Sequence, residues 1–240
     1  MQPFTLPTFP TFIGDQRTPV PATGVASRAL VRSTFAAVYQ GRRSATALVE
    51  GLALAIDRDT LAHSCRMRAN AIALAGAVGI ADAHLLAAIA AGALLHDIGK
   101  LALPQILLQK PGPLAPHEFE AVKRHAVLGA QLLVEIRTPD VLVGIVRHHH
   151  ENWDGTGYPD GLAETAIPLG ARVLAIIDCY DALTSDRPYR RALPCDRAVE
   201  MIELRAGTMY DPAIVRAFLS VQPVLAAVAD DLAARKEPAA

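Results

Sequence analysis

Aromatic residues make up only 5% of this 240-residue chain, and Trp occurs once. With 52% hydrophobic residues and so few rings, the apolar share is mostly Ala and other aliphatics. That composition excludes a disordered chain and favours close-packed helices. Long apolar runs are missing too. The longest stretches without a polar side chain are 11 residues, as from Leu85 to Leu95 between His84 and His96. A membrane span needs roughly 20, so no span is expected and this run reads as a buried helix. Cysteine is scarce: Cys65, Cys179 and Cys195 form no CxxC pair and leave an odd count. They fit small buried thiols in a reducing cytoplasm better than a disulfide framework. No basic start leads into an apolar stretch and a small-residue cleavage site, so no secretory signal is read and a cytoplasmic location is expected. Charge of one sign is absent as well, with 23 Lys and Arg against 24 Asp and Glu. A nucleic-acid binder relying on a global positive field is therefore disfavoured. An anionic small molecule needs only local or metal-borne positive charge.

What is present is a Pro-rich start and then helix after helix. Pro3, Pro7, Pro10, Pro19 and Pro21 mark an extended arm, followed by a helical pattern from Ser27 to about Gln40. Ser44 opens a second helix, and the third runs from about Asp59 to Ala77. Asp82 caps a fourth that ends in His96-Asp97-Ile98-Gly99-Lys100. Further helices are predicted from Pro116 to about Ile136, from Pro139 to the triple His148-His149-His150, and over Leu169–Thr184, Asp196–Ala206 and Pro212–Leu219. Residues 151–168 are rich in Gly and Pro and read as a loop. Alternating strand patterns are absent. The expected fold is all-α, a compact multi-helix bundle. Its expected organisation is an N-terminal arm and helix over 1–45, a main helical domain over 46–225 and a tail over 226–240.

The chemistry lies in His63, the pair His96 and Asp97, His125, the pair His149 and His150, and Asp178. Each falls on or at the end of a separate predicted helix. One histidine on an apolar face is usually a core residue. Two adjacent pairs and three single donors, from five helices, fit a metal site assembled inside a bundle. Nitrogen and oxygen donors without thiolate favour Fe, Mn, Zn, Co or Ni. Seven donors exceed the needs of one tetrahedral ion, and Asp97 is the natural bridge between two. Two ions can clamp the oxygens of an in-line phosphoryl displacement. Lys100, three residues after Asp97, faces the same site if the helical turn continues.

Several longer runs resemble a known family. Leu95 to Lys100 resembles the HD phosphohydrolase signature. His149-His150-Glu151-Asn152-Trp153-Asp154-Gly155-Thr156-Gly157-Tyr158-Pro159, with Gly161-Leu162, resembles that of the HD-GYP subfamily. Residues 106–114, Asp178 to Arg190 and Gly207 to Pro212 extend the likeness, which covers about residues 48 to 220. The resemblance implies an all-helical phosphodiesterase of cyclic di-GMP with two or three iron- or manganese-type ions. It implies metal ligation by His63, His96, Asp97, His125, His149, His150 and Asp178, with Asp97 bridging. It places Lys100 against the scissile phosphate, and Arg187 and Arg190 on the substrate phosphates. Arg190 stands where many members have Lys; charge is retained.

The stretch before His63 looks shorter than in the family. Asp59, four residues ahead of His63, is the carboxylate a third ion would use; the plain alternative is an acidic residue favoured by the helix dipole. In the loop, Gly155, Gly157 and Gly161 permit tight turns that Pro159 stiffens. Tyr158 either packs on a guanine or seals the core beside the double His. Trp153 reads as a structural plug, and Asp154 and Asp181 as supports for other side chains. Three functions stay open: a cyclic di-GMP phosphodiesterase yielding pGpG and then GMP, a phosphohydrolase of another nucleotide, and a non-catalytic sensor of cyclic di-GMP. Expected partners are cyclic di-GMP, a diguanylate cyclase (GGDEF) protein and a second copy of the chain, with residues 1–45 as docking arm, sensory remnant or dimerisation helices.

Overall fold

Proline sets most of the helix starts. Pro104, Pro139, Pro168 and Pro194 stand just before helices, and Pro116 and Pro212 are first residues. A fixed φ and a missing N–H cost nothing there, because the first N–H groups have no helical partner. The computed structural model describes residues 58–186 and 191–234, and within them the helices are α1 (Arg58–Val78), α2 (Ala83–Leu95), α3 (Gln105–Leu108), α4 (Pro116–Glu135), α5 (Asp140–His148), α6 (Leu169–Thr184), α7 (Cys195–Glu203) and α8 (Pro212–Ala234). Among the described residues there is no strand, only two isolated bridges, Asp154 with Ala163 and Ala206 with Tyr210. The all-α bundle expected from the sequence is the fold found. The helices anticipated before residue 57, the arm, Arg187 and Arg190, and the end of the tail lie outside the described residues, as does the side chain of Asp59.

Two local expectations need correction. The fourth sequence helix does not carry through Lys100. It stops at Leu95, and a short 3-10 turn over Ile98–Ala102 follows. The last helix does not stop at Leu219 but continues through Pro223 to Ala234. Phe218 and Leu225, on either side of that proline, are both fully buried. Their burial offsets the hydrogen bond that the proline removes.

The helices pack so that several ends meet. α1 lies against α2, α6 and α8; α2 also meets α5 and α6; the 3-10 turn lies on α4, which packs on α5. Ile89 of α2, Ile145 of α5 and Leu174 of α6 are fully buried between them. Among the described residues no helix is long and apolar enough to cross a membrane.

Candidate metal centre

α2 ends where the site begins. His96 is its last capping position, with its N–H on Gly92 O, and Asp97 follows at φ −93, ψ 5. The chain then tightens into the 3-10 turn, whose geometry sets residues three apart nearly in line. Lys100 Nζ therefore reaches Asp97 Oδ2 at 2.5 Å. The lysine faces the site as expected, by a different turn. Gly99 makes this possible: a Cβ there would lie 1.9 Å from His125 O and 2.5 Å from Gly129 N, both backbone atoms of α4.

Four histidines share one arrangement. The Nδ1 of His96, His125 and His149 lies 3.1, 2.7 and 2.8 Å from the carbonyls of Ala93, Val122 and Val146. His63 Nδ1 lies 2.6 Å from Asp181 Oδ2. A ring nitrogen against such an oxygen must carry the proton, which leaves each Nε2 as a lone pair. Those lone pairs face one another: His63 and His96 Nε2 are 3.3 Å apart, and so are His125 and His149 Nε2. Two acceptors cannot satisfy each other. A cation between them resolves both pairs, so this donor set fits divalent metal binding.

The carboxylates join the two pairs. Asp97 Oδ2 lies 3.4 Å from His96 Nε2, and its Oδ1 lies 3.4 Å from His125 Nε2. Asp178 Oδ1 stands 3.6 Å from His63 Nε2. His150 joins His125 and His149, with donor atoms within 4.8 Å of one another, and His63, His96 and Asp97 form a like group. The structure thus brings all seven sequence-nominated donors together.

Electrostatics prepare them as ligands. Burial, with its histidine neighbours, holds His149 well below the usual imidazole range and pulls His150 down to about 3. Burial lowers His125 as well. Neutral imidazole is the ligating form. Burial also opposes charge on His96, but Asp97 and Asp178 outweigh it and raise that group. Asp97 resists burial through Lys100 and His96 and is held well below the ordinary carboxylate range.

The supporting side chains were only partly anticipated. Asp181, 3% exposed, accepts from His63 and from Arg66 Nε and Nη2 at 2.6 and 3.0 Å. Asp154 accepts from Thr156 N at 3.0 Å and closes a turn in the Gly-rich loop. Gly155 and Gly161 there have φ of 81 and 65, and the Tyr158–Pro159 bond is cis. Tyr158 packs its ring 4.9 Å from the His150 ring, and Lys123 Nζ lies 5.4 Å from its centre. Trp153 lies beneath the guanidinium of Arg172 at 5.8 Å. Three roles escaped the sequence reading: the hold of Arg66 on Asp181, Lys123 at Tyr158, and Glu151, which is 3% exposed. Glu151 directly follows the double His, the one signal that could have drawn notice.

Comparison with known proteins settles the family. Residues 34–214 match the HD domain family. The chain belongs to it. The Gly157-Tyr158-Pro159 stretch places this HD domain in the HD-GYP branch. It is 43% identical over 130 residues to a cyclic di-GMP phosphodiesterase of Thermotoga maritima, covering 53% of this chain and 35% of the relative. It is 39% identical over 153 residues to the 3'3'-cGAMP-specific phosphodiesterase 3 of Vibrio cholerae, covering 64% and 33%. The HD domain chain thus spans about a third of the length of these curated relatives. Its fold is similar to that of a solved HDGYP protein from Bdellovibrio bacteriovorus, with a TM-score of 0.59 at 18% identity over 84% of this chain and 70% of that one.

Proposed function

We propose that this HD-GYP domain is a metal-dependent phosphodiesterase that opens cyclic di-GMP to linear pGpG. The observation that carries it is the pair of facing Nε2 contacts joined by Asp97, a donor set for two ions side by side. His63, His96, Asp97, His125, His149, His150 and Asp178 would hold two ions, iron or manganese, with Asp59 as donor to a third. When bound, such ions activate water and offset charge on a phosphoryl group.

The side chains supply the rest. Hydrolysis adds a water oxygen to one phosphorus, breaks its bond to the 3′ oxygen and leaves a proton on that oxygen. Lys100, held at Asp97, puts a cation where charge builds on the phosphoryl oxygens. Arg187 and Arg190 hold the phosphates, and their forked donors suit a phosphodiester. Tyr158, against His150, forms the wall beside the double His. A diguanylate cyclase and a second copy are the proposed partners of the chain, with residues 1–45 as docking arm, sensory remnant or dimerisation helices.

The test is turnover of metal-loaded protein purified without oxygen, with metal analysis alongside. Cyclic di-GMP should be hydrolysed, and two or three ions should be found per chain. Asp97→Ala should abolish turnover and lower metal content together, since removing the carboxylate unbinds both pairs. Full turnover by that variant overturns the assignment. Turnover of 3'3'-cGAMP in place of cyclic di-GMP replaces the substrate, a reading that the Vibrio relative's name supports.

A further inference from the structure

A second cluster of ligand-type side chains stands behind the double His. His148, Glu151 and Asp160 bring donor atoms within 4.8 Å of one another. Its cation is already in place. Arg147 Nε and Nη2 donate to the two Asp160 oxygens, both at 2.7 Å, and His148 Nε2 lies 2.8 Å from Oδ2. The Asp160 N–H in turn donates to Glu151 Oε1 at 2.7 Å. Asp160 is thus tied to residues on both sides of His149 and His150.

This arrangement is a clasp. The chain leaves α5 at the double His, runs through the Gly-rich turn and returns at Asp160 to the residues it left. Tyr158 lies two residues before the point of return. Its N–H donates to His150 O at 3.2 Å, and its ring packs on the His150 ring. Both ends of the loop are closed where the Tyr158 ring meets His150. We propose that Asp160 is a positioning residue: through Arg147 and His148 it fixes Tyr158 against His150, and so tunes use of the cyclic dinucleotide rather than metal retention. This rests on the phosphodiesterase reading above.

The placement separates this role from a structural one. The Arg147 and Asp160 side chains are 32% and 35% exposed. An ion pair so open to water contributes little to global stability. Its two parallel hydrogen bonds instead fix a direction. Asp160→Ala should therefore leave folding and metal content intact while the loop loosens.

The experiment is a double-mutant cycle with three readouts on metal-loaded full chain. Asp160→Ala, Tyr158→Leu and the double variant are assayed on cyclic di-GMP and on bis(p-nitrophenyl) phosphate, a phosphodiester without a base. Hydrogen exchange is followed over residues 152–160. For Asp160→Ala the expected results are a KM for cyclic di-GMP raised by about 10-fold, wild-type metal content and bis(p-nitrophenyl) phosphate turnover, and faster exchange confined to the loop. The double variant should be no worse than Tyr158→Leu alone. Additive effects in the cycle overturn the proposal, as do equal losses on both substrates or unchanged loop exchange. If the wild type cleaves bis(p-nitrophenyl) phosphate but not cyclic di-GMP, the substrate reading fails, while loop exchange still decides the clasp.

Discussion

A single methyl group at residue 99 should uncouple the two halves of the metal centre. Gly99 sits in the 3-10 turn two residues after Asp97, and its Cα lies against α4 at His125. A Cβ there would meet His125 O at 1.9 Å, Gly129 N at 2.5 Å and His125 C at 2.8 Å. Carbon atoms rest about 3.5–4.0 Å apart, so the turn and the helix must part by on the order of 1 Å. All three obstacles are backbone and cannot swing aside. Overpacking costs about 1–3 kcal/mol, and this contact belongs at the upper end. For a chain of this size that lowers Tm by about 6–12 °C. The displacement moves the turn that carries Asp97 away from the helix that carries His125; Asp97 Oδ1 and His125 Nε2 now lie 3.4 Å apart. Metal retention against a chelator should weaken by about 10- to 100-fold, as when the support of a ligand is lost. Far-UV melting and chelator competition measure both effects. Gly76→Ala in α1 is the control, because a Cβ there meets nothing within 4 Å. It should be neutral or stabilise by up to about 1 kcal/mol. If Gly99→Ala melts and holds metal like wild type, the close approach of turn and helix does not set the site.

Three further outcomes are expected. Asp181→Asn removes the charge and one of the two acceptor oxygens that His63 and Arg66 use, so metal affinity should fall by about 10- to 100-fold, read by the same competition. Burial pushes the Asp181 carboxyl up, but the hydrogen bonds from His63 and Arg66 win and hold it at about 2, against 3.8 ordinarily. A depressed carboxyl contributes stability that is complete above its ordinary value and lost as pH falls towards 2. Acid unfolding of Asp181→Asn should therefore lack about 2 kcal/mol of the wild-type dependence in that window. Lys100→Ala should cut kcat more than it raises KM, whereas Arg187→Ala and Arg190→Ala should weaken cyclic di-GMP binding by about 10- to 150-fold at unchanged metal content. Steady-state kinetics with metal analysis separate these, and wild-type binding by both arginine variants would make them plain surface charges.

The sequence revealed the donors more readily than their pairing. Histidine and aspartate at helix ends can be listed by residue type, and all seven converge. That His63 meets His96, and His125 meets His149, depends on α1 lying on α2 and α4 on α5, which no local pattern encodes. The support given by Asp181 spans 118 residues to His63 and 115 to Arg66. Local signals did well where a residue acts on its own neighbours, as with Asp82, whose side chain accepts from His84 N and Leu85 N. They failed where packing overrode them. The last helix, expected to end at Leu219, runs on through Pro223 because Phe218 and Leu225 are buried on either side of it. The residues after His96 read as helix from their own stretch, because the close approach of α4 at Gly99 lies outside it.

The lone indole gives this chain an optical probe of its own. The Trp153 backbone N–H donates to Met209 O at 3.1 Å and its carbonyl accepts from Glu164 N at 2.8 Å, so the residue reports where the loop meets the 208–209 turn. Ellipticity at 222 nm follows the helices instead. Emission and ellipticity recorded in one denaturant series therefore watch two different parts of the molecule without a label or a substitution. Coincident midpoints would mean that the wall beside the double His melts with the bundle. An earlier emission midpoint would mean that the wall detaches first, and the gap would measure the free energy holding it in place.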